Sequence, residues 1–150
     1  MVLRVLTVAA AAILALTACG GDDGPTAEEY AAQGNVACTA AAKKMRALKR
    51  PTADSAEAVS GYAKQVAPIV RTRLTALEAL EPPDDLERFH DRLIEDQKTL
   101  AAAIETVAEA AGRNDRATAQ RASQEGAGAT ARSMLLFRRL GLTACAGSPF

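Results

Sequence analysis

Residues 86–112 read LERFHDRLIEDQKTLAAAIETVAEAAG, and this stretch decides the fold. Leu86, Leu93, Leu100 and Val107 recur at intervals of seven, and Phe89, Gln97, Ile104 and Ala111 fall between them at steps of three and four. Side chains so spaced share one face of an α-helix, as in the seam of a helical bundle. Gln97 is the polar member of that seam. It is expected near a core edge with its amide satisfied, so that Gln97→Leu would be neutral or stabilising. Gly112 suits the position just past the helix end. Upstream, Glu81-Pro82-Pro83-Asp84 is the clearest break in the chain.

Working outward, three further helices are predicted. The first starts after Thr26, which has capping-box spacing to Glu29. Ala31, Gly34, Cys38, Ala41, Met45 and Leu48 share one face of it, and Pro51 ends it. The second follows Asp54, paired with Glu57 in a second capping-box pattern. Its stripe is Val59, Tyr62, Val66, Ile69, Val70, Leu74, Leu77 and Leu80; Pro68 inside it predicts a kink or two shorter helices. The fourth starts near Asp115. It carries small residues first (Ala117, Ala119, Ala122, Gly126, Ala127, Gly128) and bulky ones later (Thr130, Met134, Phe137, Leu140). Gly141 is placed to end it, with Leu142 packing back on Phe137. Short connections make neighbouring helices antiparallel, so the expected fold is an all-α, up-down-up-down four-helix bundle. Abundant alanine, few aromatics and the lack of β-branched runs after the N-terminal segment favour the same class.

The N-terminus is of a different kind. Arg4 precedes an apolar run from Val5 to Leu16, and the run ends in Leu16-Thr17-Ala18-Cys19. That is the layout of a secretory signal closing in a lipobox. The run is shorter than the roughly 20 apolar residues a membrane span needs. The predicted organisation is a signal peptide over 1–18, a lipidated Cys19 with a flexible linker over 19–26, and the bundle over 27–150. A diacylglycerol on Cys19 supplies the two chains that firm anchoring requires. The expected location is the outer face of the cytoplasmic membrane.

Acylation of Cys19 leaves Cys38 and Cys145, an even pair in an exported chain. Cys38 is in phase with the inward face of the first helix, and a turn at Gly141 lets the chain fold back to reach it. A Cys38–Cys145 disulfide follows; two buried free thiols, or Cys145 pairing between molecules, are the alternatives.

Catalytic patterns fail on inspection. Glu87-Arg88-Phe89-His90 matches the Glu-x-x-His of di-iron bundles, but those need a second histidine and His90 is the only one. It reads as one histidine among carboxylates on a surface helix. Gly126-Ala127-Gly128-Ala129-Thr130-Ala131 resembles a dinucleotide fingerprint but follows no strand. Met45 and Met134 read as packing rather than metal ligands. No enzyme activity and no cofactor are expected. The chain carries 18 basic and 18 acidic residues, a balance that argues against nucleic acid as a partner. Lys43, Lys44, Arg46, Lys49 and Arg50 nevertheless crowd the end of the first helix, more densely than compensation of a helix dipole requires. They form a candidate anion-binding site at the end away from the membrane, joined there by Arg113, Arg116 and Arg121.

Ala37-Cys38, Leu80-Glu81-Pro82-Pro83 and Leu140-Gly141-Leu142-Thr143-Ala144-Cys145, in that order, resemble a loose group of small alanine-rich actinobacterial lipoproteins and secreted proteins. The resemblance implies a helical extracytoplasmic domain and carries no functional residues over. The expected function is a non-enzymatic binding or interaction module whose partner is an envelope protein or an anionic envelope polymer. The alternative is a carrier of a small apolar ligand in a cavity lined by Val66, Ile69, Val70, Leu100 and Ile104. A filled core would favour the first reading, a cavity the second.

Overall fold

The structure, a computed structural model, describes residues 24–147. The stretches expected to form the signal peptide, the lipobox with Cys19 and residues 20–23 of the linker lie outside the described residues, as do residues 148–150. Four long helices, α1 (Ala27–Ala47), α2 (Ala56–Glu78), α3 (Glu87–Gly112) and α4 (Arg116–Arg139), form an up-down-up-down bundle. A short α5 (Thr143–Ala146) follows. The seam of α3 makes it the centre: α2 packs along one side of it and α4 along the other. α1 packs instead on α2 and on α5.

The caps explain most boundaries. Thr26 and Glu29 close the expected box: the Glu29 amide donates to Thr26 Oγ1 (3.2 Å) and the Thr26 amide to Glu29 Oε2 (2.9 Å). Asp115 caps α4, accepting from the Thr118 amide at 3.0 Å. At the end of α4 the Leu142 amide donates to the Phe137 carbonyl (2.8 Å) and the Gly141 amide to the Arg138 carbonyl (3.3 Å). This is the expected Schellman end, with Gly141 at φ 70°.

Three boundaries differ from expectation. α2 is capped by Ser55, whose Oγ accepts from the Ala58 amide at 3.2 Å, not by Asp54. Glu57 then falls one position too early to close a box. α3 incorporates Gly112, and Asn114 takes the left-handed conformation at φ 59°. The Asp115 amide reaches the Ala110 carbonyl (2.8 Å) and the Asn114 amide the Ala111 carbonyl (3.0 Å), a Schellman end two residues later than expected. α1 stops at Ala47 rather than at Pro51, because Leu48 turns extended and packs against the core. α2 runs unbroken through Pro68. Pro68 and Lys64 face solvent, so the Lys64 carbonyl that the missing N–H leaves open lies on the wet side of the helix, where its loss of a partner costs least.

The C-terminal segment closes onto α1. Leu142 is fully buried against Gly34, where an added Cβ would lie 2.3 Å from Leu142 Cδ2. Asn35 Nδ2 donates to the Gly141 carbonyl (3.0 Å), and Asn35 Oδ1 accepts from the Ala144 amide (2.8 Å). These contacts bring Cys38 and Cys145 to disulfide distance, with Cα atoms 4.9 Å apart and both residues buried. Nearby, the Tyr30 hydroxyl lies 2.9 Å from His90 Nδ1 in an edge-on ring contact. Burial pushes the Tyr30 phenol up to about 12 and the His90 imidazole below its usual 6.5. Both groups favour their neutral forms, and the tautomer of His90 sets which of the two donates. His90 is a buried link between α1 and α3, not the surface histidine expected.

Gln97 also departs from expectation. It is 1% exposed, at the centre rather than an edge. Its Nε2 donates to Ser133 Oγ on α4 at 2.7 Å, and its Oε1 accepts from the Arg73 guanidinium on α2. Arg73 is buried beneath the Phe137 ring, 5.9 Å from its centroid. Desolvation lowers its pKa to about 10, which leaves it charged at neutral pH. A leucine at position 97 would remove an acceptor from a buried cation. Gln97→Leu should therefore destabilise the fold by about 1–3 kcal/mol in urea unfolding, reversing the expectation from the heptad pattern alone.

Candidate functional site

Because α1 packs on α2 and α5 rather than on α4, the seam between α1 and α4 stays open at the far end of the bundle. The first half of α4 widens it. Ala122, Gly126 and Ala127 carry too little side chain to reach across. Gly126 lets α4 approach α3, where an added Cβ would meet Ala103 Cβ at 3.2 Å. The result is a groove of about 740 Å³, open along one side. Met45 of α1, Tyr62 and Val66 of α2, and Leu100, Ile104 and Val107 of α3 make its apolar wall. Ala127, Thr130 and Ala131 of α4 make the opposite one. This volume lies within the range of about 300–1,000 Å³ typical of small-molecule sites.

The cavity anticipated between the helices is only partly this one. Val66, Leu100 and Ile104 line the groove, whereas Ile69 and Val70 are buried in the core on the same face of α2. Met45 and Tyr62, read from the sequence as core positions, are half-buried because one side of each meets the groove. A helical pattern identifies which faces turn inward. It does not say that two inward faces fail to meet.

The lining is apolar with a few hydroxyls. Thr130 Oγ1 donates back to the Gly126 carbonyl at 2.9 Å. Among the described residues, the one formal charge in the lining is Arg50, beside Pro51 in the connection from α1 to α2. The early end of α1 puts it there: Lys49 and Arg50 belong to the connection, while Lys43, Lys44 and Arg46 lie on the last turns of the helix. All five are exposed, and none forms an ion pair among the described residues. Arg113, Arg116 and Arg121 stand exposed where α3 ends and α4 begins, the same end of the bundle. Arg113 approaches Glu109 at 3.9 Å and Arg121 donates to Thr118 Oγ1 at 3.0 Å.

A second recess of about 290 Å³ lies between α2 and the end of α3, around Glu57, Ser60, Lys64 and Asn114. Its lining is as polar as it is apolar, it carries the opposite charges of Glu57 and Lys64, and Ser60 Oγ already donates to the Ala108 carbonyl at 2.7 Å. The larger groove is the better candidate. Among the described residues no three His, Cys, Asp or Glu side chains converge as a metal site would require. Among the same residues no helix is long and apolar enough to cross a membrane. No family model, curated protein or solved structure matches the chain.

Proposed function

We propose that this protein is a lipoprotein anchored through Cys19 at the outer face of the cytoplasmic membrane. Its bundle is a non-enzymatic binding module that holds the apolar part of a small ligand in the groove between α1 and α4. The open apolar groove is the observation that carries this reading, because a filled core would have favoured a purely surface-binding module. The anchor rests on the lipobox closing the apolar run at Leu16-Thr17-Ala18-Cys19. With the tether at the start of α1, the groove opens at the opposite end of the bundle. The five exposed cations at the end of α1 favour a second reading, contact with an anionic envelope polymer across that same end.

Two outcomes are expected. Cys19→Ala should move the protein from the membrane fraction to an unprocessed precursor or a released form, as fractionation and intact mass would show; unchanged processing and membrane association would contradict the anchor. In a lipid-free secreted form, N-phenyl-1-naphthylamine should bind with enhanced fluorescence. Ala127→Phe with Ala131→Phe should weaken that binding about tenfold or more, since leaving two methylenes unburied costs about 1.6 kcal/mol. Both positions are exposed, so the circular dichroism spectrum should not change.

A further inference from the structure

The ligand's chemistry can be read from the charge on the groove, granted that the groove binds an apolar ligand at all. Its wall is mostly hydrocarbon, and among the described residues its lining contains one cation, Arg50, and no acid. Arg50 has no ion-pair partner among the described residues, and its neighbours Lys49 and Arg46 add to the positive potential there. An apolar cleft with one exposed guanidinium matches a molecule with one alkyl chain and one negative head. We propose that the groove takes the chain of a long-chain fatty carboxylate, with the carboxylate on Arg50.

Each feature of the ligand follows from the site. The planar guanidinium presents two parallel N–H donors to a carboxylate, and such charge-assisted pairs are stronger than neutral hydrogen bonds. Burial of the chain should raise affinity about fourfold per methylene, so affinity should grow with chain length. An extended peptide fits less well. The groove walls are helices whose backbone groups are already paired, and they offer no strand edge for main-chain bonding. A docked helix would need a larger contact, since stable protein interfaces bury at least about 1,000 Å². The protein's own lipid is the weaker candidate, because an anchor held in the membrane lies at the other end of α1, 21 residues or about 30 Å of helix from the groove.

Photolabelling of the mature, lipidated protein in phosphatidylcholine vesicles tests the assignment. The probes are diazirine-bearing palmitic acid, its methyl ester and the corresponding alkylammonium. The acid should label the α4 peptide carrying Ala127, Thr130 and Ala131, or Met45, and excess palmitate should compete. Arg50→Gln should lower labelling by the acid about tenfold, the effect of losing one charge-assisted pair, and leave the ester unchanged. Equal labelling by acid, ester and ammonium, insensitive to Arg50→Gln, would overturn the carboxylate assignment and leave the groove as an apolar site. A lysophosphatidylglycerol that competes better than palmitate would overturn it in favour of a phosphate head. Absence of labelling on the groove by any probe would overturn the binding function itself.

Discussion

The structure depends on the closure of the C-terminal segment onto α1. α1 shares a helix–helix interface with α2 but packs no comparable face on α4. What α4 lacks in direct contact is supplied by the chain that follows it. Gly141 turns the backbone, Leu142 enters the space left by Gly34, Asn35 holds the backbone on both sides of the turn, and Cys145 meets Cys38. Closing a loop of 107 residues stabilises a fold by up to about 4.7 kcal/mol in the chain-entropy view. Against a net stability of about 5–15 kcal/mol for a domain, that term is large. This chain has few aromatic side chains with which to replace it.

The same arrangement produces the groove. A bundle closed by four continuous interfaces would bury the inward faces of α1 and α4 against each other. Here α1 is fastened low, by the terminal segment and by the Tyr30–His90 contact, and it ends early at Ala47. The upper parts of α1 and α4 are thus left as the two sides of a cleft, with α2 and α3 behind it. The core beneath is held by a polar column, Arg73 to Gln97 to Ser133, joining α2, α3 and α4. Such a column fixes the register of three helices, because sliding any one of them would leave buried polar groups unsatisfied. The groove is thus built into the packing of the four helices, open on one side above this column.

Local signals made much of this legible in the sequence. The heptad of α3, the capping box at Thr26, the cap at Asp115 and the Schellman end at Gly141 all depend on residues within a few positions of one another. The Cys38–Cys145 approach was accessible because helix phase and topology together point both side chains the same way. Features set by partners distant in sequence were not legible. Gln97 looked like an interruption of the seam, since nothing near it announces Arg73 on α2 or Ser133 on α4. His90 sat among carboxylates and read as a surface residue until Tyr30 was placed over it. Ser55 won the cap of α2 from Asp54, and Asn114 the left-handed position from Gly112, where neighbouring candidates differ by a few tenths of a kcal/mol and tertiary packing decides. The groove was partly visible in the small residues of α4, but its position required knowing that α1 leans away from that helix.

The terminal closure, rather than contact with α4, holds α1 in place. Hydrogen exchange followed by mass spectrometry on the oxidised protein and on the Cys38→Ser, Cys145→Ser variant tests it directly. The variant should lose protection first and most in α1 and residues 141–147, while α3 keeps the protection set by its interfaces with α2 and α4. Loss of protection spread evenly over all four helices, or α1 protected as well in the variant as in the parent, would contradict it.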